Sequence, residues 1–427
     1  MSSPSLDPVS RVVPLPAEGQ RRHDLDWIRV AAFFLLILYH VGMLYVSWDF
    51  HVKSPRIVEA VQPFMMMTSP WRLTLLFVVS GAATRFMVDG FEAAGGGAGR
   101  RLAGSRILRL LPALLFGMFV IVPPQSYYEV FQAAQWLGVA DPAHSPWLQD
   151  FWIKYATGYA GWCDADGCLT TPTWNHLWFI AYLLPYGLLV AALVGLPGKP
   201  LGVLARWTER ACAGWGLLLW PMLYLAVLRF TLAPVFEVTH AFWGDWYNHA
   251  LSFGAYLFGF LIARSEALKT NFVRLRQPAA VLAVLSWAAW ATYAWIYRAD
   301  DAAPPEALRN AMRIVYAVDQ WAWIAAIMGY GARYLNRGGP VLRYLSVGVF
   351  PFYIVHQTVI ILAAWYLMPM NLPLPVEAGL VIAATFAACF AAYEIARRLG
   401  WLGLLLGVRP RPAPAPDQAA NRPPLPA

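Results

Sequence analysis

The sequence predicts an all-α, polytopic membrane protein with about ten transmembrane helices and both termini cytoplasmic. Three observations carry this. Of 427 residues, 59% are hydrophobic and only 13% charged, against roughly 45–50% and about 25% in soluble domains. Apolar stretches of about twenty residues recur along the chain, each long enough to cross a ~30 Å hydrocarbon core. Arg and Lys are abundant in every second connection and sparse in the others, as the positive-inside rule requires. The net charge of +8 belongs to those connections and calls for no nucleic-acid partner.

The spans run approximately over residues 27–47, 70–88, 106–123, 175–195, 213–233, 248–264, 279–297, 314–332, 345–367 and 377–396. With an inside N-terminus, the cytoplasmic segments collect Arg21, Arg22, Arg100, Arg101, Lys199, Arg206, Arg210, Lys269, Arg274, Arg276, Arg333, Arg337, Arg343, Arg397 and Arg398. The opposite loops hold fewer bases and most of the acids, among them Asp164, Asp166, Asp245, Asp300 and Asp301. Residues 1–23 are polar and are expected to be a disordered cytoplasmic segment without a secretory signal peptide. Residues 24–397 form the membrane domain, and residues 398–427 a Pro/Ala-rich cytoplasmic tail. The glycines of residues 95–99 read as a flexible turn, not a phosphate loop, because no Gly-Lys-Ser/Thr follows them.

The one long connection, about residues 124–174, falls on the external side and is rich in Tyr and Trp, which suits partial helices at an interface. It contains Cys163 and Cys168 with four residues between them. The pair suits a disulfide in an oxidising compartment. A metal site is the alternative, but the two further ligands that a closed zinc site needs are missing. No metal and no tightly bound cofactor are expected.

The candidate chemistry begins in the first span. Arg29 and His40 are eleven residues apart, about three turns plus ~20°, so they share a helix face roughly 16 Å apart. A titratable imidazole inside a span is costly, and near neutral pH it suits general-base work. The plainer reading of Arg29 is a snorkelling arginine, and of His40 a neutral histidine bonded to a neighbouring helix. Arg106 and Arg109 open the third span at i, i+3 spacing, which lets two guanidiniums converge on one anion; setting topology is the plainer role. Arg85 is placed to join that anion cluster. Residues 80–83 (Ser-Gly-Ala-Ala) are a small-residue patch, read as a helix contact before a catalytic serine. His176 and Trp178 open the fourth span externally, facing an acceptor or simply capping the interface. Tyr353 and His356 share a face of the ninth span, and Asp319 and Glu394 are intramembrane carboxylates that either pair structurally or orient a histidine.

Arg29 and His40 with ten residues between, the Ser80-Gly81 patch, Arg106-x-x-Arg109 before Pro112, and Tyr353-x-x-His356 together resemble the membrane acyltransferase-3 family. The agreement in order and spacing covers residues 24–397. Residues 175–179 and 68–72 look more like the branch of periplasmic-glucan succinyltransferases than the O-antigen-modifying branch with its extra domain. The resemblance implies O-acyl transfer, acetyl or succinyl, from cytoplasmic acyl-CoA to a hydroxyl of an extracytoplasmic glycan at a bacterial inner membrane. It implies that Arg29, Arg106 and Arg109 bind the donor and that His40 is the essential histidine, acting as a base or carrying the acyl group. His176, Trp178, Tyr353, His356 and Glu394 then stand as acceptor-side or supporting residues. Where an aromatic often follows the second-span glycine, Ala82 stands here, so the shape of the donor tunnel does not carry over. The rival reading is a proton-coupled transporter or flippase relaying protons through His40, Asp319, His356 and Glu394.

Overall fold

The computed structural model describes residues 22–137, 150–164, 167–299 and 301–408, and the helices in these segments dominate the chain. In order they are α1 (His23–Met43), α2 (Gln62–Met66), α3 (Arg72–Ala93), α4 (Ala98–Phe116), α5 (Pro123–Leu137), α6 (Trp152–Ala156) and α7 (Trp178–Gly195). They continue with α8 (Pro200–Ala211), α9 (Gly216–Thr231), α10 (Trp246–Ile262), α11 (Glu266–Ile296), α12 (Glu306–Tyr334), α13 (Pro340–Leu367) and α14 (Leu374–Ala396). A two-residue antiparallel ladder pairs Cys163 with Cys168. Those cysteines are disulfide-bonded, the first of the two alternatives, and among the described residues no cluster of potential metal ligands occurs.

Each of the ten predicted spans is covered by a helix, but not all to the same standard. Among the described residues, seven helices are long and apolar enough to cross a membrane, or eight if the bent pair α8 and α9 counts as one span. The shortfall from ten has a physical reason. α9 and α10 have only 16 and 17 residues, about 25 Å of helix, and α12 carries Asp319 and Gln320 among several Trp and Tyr. The predicted disordered segment 1–23 lies mostly outside the described residues, as does the Pro/Ala-rich part of the tail from residue 409. Residues Gly400–Leu406 form a 3-10 helix against α4 and α14.

α11 with α12 and α13 with α14 pack as hairpins, and α3 packs along α10 while α4 packs along α7. The small-residue patch explains one of these pairings. A Cβ on Gly81 would meet the Tyr256 carbonyl at 1.8 Å, and one on Gly259 would meet the Val78 carbonyl at 1.9 Å. The two glycines face each other across the α3–α10 crossing and let the backbones touch. Between α3 and α4, Gly95, Gly96 and Gly97 all have positive φ, which makes the expected turn easy for glycine and costly for other residues.

The connection between α1 and α3 is tied down at several points. Lys53 Nζ donates to the carbonyls of Met43 and Val46, at 2.8 and 2.5 Å, and to that of Trp48. The Met43 carbonyl is one that the end of α1 leaves without an intrahelical partner, and the other two lie in the turn that follows it. Arg56 pairs with the buried Glu377 at the start of α14 and donates to the Leu372 carbonyl at 2.6 Å, while Tyr45 Oη donates to Glu377 at 3.1 Å. His51 meets Glu129 of α5 at 2.8 Å. Burial alone would lower the pKa of His51, but the carboxylates of Glu129 and Asp49 outweigh it and hold the pKa above its ordinary value.

Candidate active site

Three histidines from separate elements meet beneath that connection. His40, in the last turn of α1, places Nδ1 3.0 Å from Nε2 of His356 on α13, with the two rings nearly coplanar. His176, in the 3-10 turn that leads into α7, sets its ring edge-on to His356, centroids 5.1 Å apart. His356 is fully buried and His176 nearly so, whereas His40 keeps accessible surface.

Hydrogen bonding decides which nitrogens carry protons. His356 Nδ1 lies 2.8 Å from the Tyr353 carbonyl, which can only accept, so Nδ1 bears the hydrogen and Nε2 of the neutral ring is an acceptor. His40 Nδ1 must therefore donate to it. That leaves His40 Nε2 with its lone pair, and no hydrogen bond engages it among the described residues. The same logic applies to His176, whose Nε2 faces the Ile354 carbonyl at 3.0 Å while Nδ1 accepts from Gln125 at 3.2 Å. Tyr353 donates its hydroxyl to the His176 carbonyl, locking α13 to the entrance of α7.

The support beneath these rings went unnoticed in sequence. Gln125, fully buried at the start of α5, donates to His176 and to Thr358 (2.6 Å) and accepts from Gln357 (3.1 Å) and Asn175 (3.3 Å). All four hydrogen-bonding positions of its amide are thus filled. The π-helical turn Gly117–Ile121 sets this up. Gln125 N–H bonds to Val122, so the Ile121 carbonyl is available to accept from Thr358 at 2.8 Å. One signal was legible: His356-Gln357-Thr358 is a run of three polar residues inside an otherwise apolar span, and buried polar groups must find partners.

At the opposite end of α1, the arginines divide. Arg29 donates to Asp26 and to the Ser346 carbonyl of α13, both at 3.1 Å. Arg109 lies over the ring of Phe350, one turn further along α13, at 5.2 Å. These two therefore converge on one face of α13. Arg106 does not join them; it is 7% exposed, packs on Gly187 of α7 and donates to Thr84 Oγ1, which also bonds Tyr256 Oη at 2.7 Å. The i, i+3 spacing brings its Cα near Arg109, but the side chain turns into the seam of α3, α7 and α10. Arg85 is likewise drawn away, paired with Asp89 at 2.7 Å.

The remaining candidates sit elsewhere. Trp178 stacks on His240 at 4.1 Å, next to a buried network of Tyr182, Asp245 and Asn248. Burial holds the His240 pKa at about 4, against the opposing effect of Asp245. Glu394 accepts from Tyr344 and pairs with Arg397 and Arg398, at the far end of α13 from His356. Asp319 faces Ser286 of α11 at 3.4 Å. Neither carboxylate touches a histidine, so the contiguous relay that the transporter reading requires is not formed by these four residues.

Arg72, buried at the start of α3, lies 3.7 Å over the ring of Tyr39, the neighbour of His40. A profile of the acyltransferase-3 family, described as an acyltransferase domain, matches residues 22–394. The chain belongs to the acyltransferase-3 family. It is thus a multi-pass membrane acyltransferase, consistent with O-acyl transfer. Comparison with curated proteins gave no match, and comparison with solved structures gave none. The match spans both the histidine cluster and the arginines of this acyltransferase, from α1 to the last turn of α14.

Proposed function

We infer that this acyltransferase moves an acetyl or succinyl group from a cytoplasmic acyl-CoA to a hydroxyl of an extracytoplasmic glycan at a bacterial inner membrane, and that His40 is the general base. The observation that carries the reading is the directed pair His40–His356, which leaves one basic nitrogen free on the partly exposed ring. His40 Nε2 takes the proton of the acceptor hydroxyl as its oxygen attacks the thioester carbonyl. The C–S bond then breaks, and the proton passes from the imidazolium to the departing CoA thiolate. His356 acts as a positioning residue, holding the tautomer of His40 and stabilising its imidazolium through the Nδ1–H bond, as the orienting member of a catalytic triad does.

The donor enters at the end where α1 begins, the cytoplasmic end by the charge asymmetry. Arg29 and Arg109 take its phosphates there, a task suited to the bidentate donors of guanidinium. Arg106 supports the same helix through Thr84. The test is transfer by purified protein from labelled acyl-CoA, together with mass spectrometry of periplasmic glycans from cells with and without the gene. His40→Ala is expected to cut transfer by about 10²–10⁴-fold, the usual contribution of a general base. Glycan acylation that persists unchanged in His40→Ala cells would remove His40 from the mechanism.

A further inference from the structure

We propose that a cavity between α8 and α11 is a binding site for the headgroup of an anionic phospholipid. The cavity has a volume of about 620 Å³ and is lined by Arg206, Arg210 and Arg274, with Glu209 and Asn271. Among the described residues none of the three arginine side chains forms a hydrogen bond or an ion pair, and Glu209 neutralises none of them directly. Three nearby bases are by contrast engaged: Arg264 with Asp89 at 2.6 Å, Lys269 with Glu266 at 3.2 Å, and Arg276 with the Val273 carbonyl. Three guanidiniums against one carboxylate leave the cavity with a charge suited to a phosphodiester, which guanidinium binds bidentately.

The architecture sets this cavity at headgroup depth. α8 turns by 110° into α9, so it runs across the direction of the bundle. Val203, Leu204 and Trp207 form its outer apolar face, Trp207 being 65% exposed, and Arg206 and Arg210 flank that face one turn apart. An amphipathic helix with Trp and Leu outward and arginines beside them lies in the membrane interface. α11 points to the same depth, since it is charged from Glu266 to Arg276 and apolar from Pro278 onward, with Arg274 one turn below the change. Asn271 secures the break between α8 and α9 by donating to the carbonyls of Cys212 and Gly214, at 3.1 and 2.8 Å. The cavity is therefore a fixed part of the fold. Basic pockets between helices at this level take lipid headgroups.

The test titrates the full-length protein, in neutral detergent, with phosphatidylglycerol, phosphatidylcholine, inorganic phosphate or coenzyme A, counting adducts by native mass spectrometry. Phosphatidylglycerol is expected to bind in preference to phosphatidylcholine. The double variant Arg206→Gln/Arg274→Gln should weaken phosphatidylglycerol binding about 25-fold, roughly fivefold per arginine, while Arg206→Lys/Arg274→Lys keeps most of it. All three arginines are exposed, so the fold survives the change. Equal phosphatidylglycerol binding by the wild type and the double variant overturns the proposal. So does a double variant that loses coenzyme A or inorganic phosphate but keeps phosphatidylglycerol, which would make the cavity a site for soluble phosphates.

Discussion

At the scale of single residues, the informative feature is the direction of two hydrogen bonds. A carbonyl oxygen cannot donate, so Tyr353 fixes the tautomer of His356, and His356 in turn fixes that of His40. Replacing His356 by Leu comes close to its volume and removes the acceptor, leaving His40 free to rotate and to adopt the other tautomer. The expected result is a fall in kcat of at least about tenfold, smaller than for His40→Ala, with KM for acyl-CoA unchanged because the arginines lie at the opposite end of α1. Steady-state kinetics of the purified variant check this; an unaltered kcat would make the histidine pair purely structural. Both histidines were legible in sequence as costly intramembrane residues. Their pairing was not, because 316 residues separate them and no local pattern encodes which two spans become neighbours. Arg106 and Arg109 fail in the opposite sense. Helical spacing puts their Cα atoms on one face, yet each side chain is long enough to choose its own partner, and Thr84 claims Arg106.

At the scale of elements, the crossing of α3 and α10 rests on two hydrogen atoms where other residues have a Cβ. Gly81→Leu, or Gly259→Val, forces the backbones apart at contacts that already lie within reach of a methyl group. The cost should reach or exceed the ~1–3 kcal/mol of an overpacked core, read as a lowered midpoint of thermal unfolding in detergent. A variant as stable as the wild type would mean that the two backbones do not touch at this crossing. The small-residue patch was legible as a helix contact, though its partner was not. The helical character of all ten segments followed from the apolar runs, but α4, α11 and α12 begin well before the apolar spans, at Ala98, Glu266 and Glu306, because their first turns are charged. The shortness of α10 was legible, since the span read at 248–264 is no longer than the helix, whereas that of α9 was hidden because apolar residues continue past Leu232, where the helix ends.

At the scale of the whole molecule, stability should depend on pH through the connection between α9 and α10. His240 has a pKa of about 4 in the fold, lowered by burial, against an ordinary value of ~6.5 in the unfolded chain. Between those values the unfolded state binds the extra proton, so stability is full above about pH 6.5 and declines as the pH falls toward about 4. Thermal melts across that range should show the decline, and His240→Asn, which tolerates the positive φ at this position and does not titrate, should flatten it. A wild-type profile indistinguishable from that of the variant would rule His240 out as the cause. The same scale gives a meaning to Lys53. Its ammonium takes the Met43 carbonyl while the N–H groups of Leu44 and Tyr45 take those of Val41 and Gly42, and a helix end whose carbonyls are already served needs no water to serve them. α1 can therefore stop below the aqueous surface without hydrating its last turn. His40 lies in that last turn, so on the proposed mechanism few waters would compete there with the acceptor hydroxyl for the thioester, and hydrolysis of the donor would be held down.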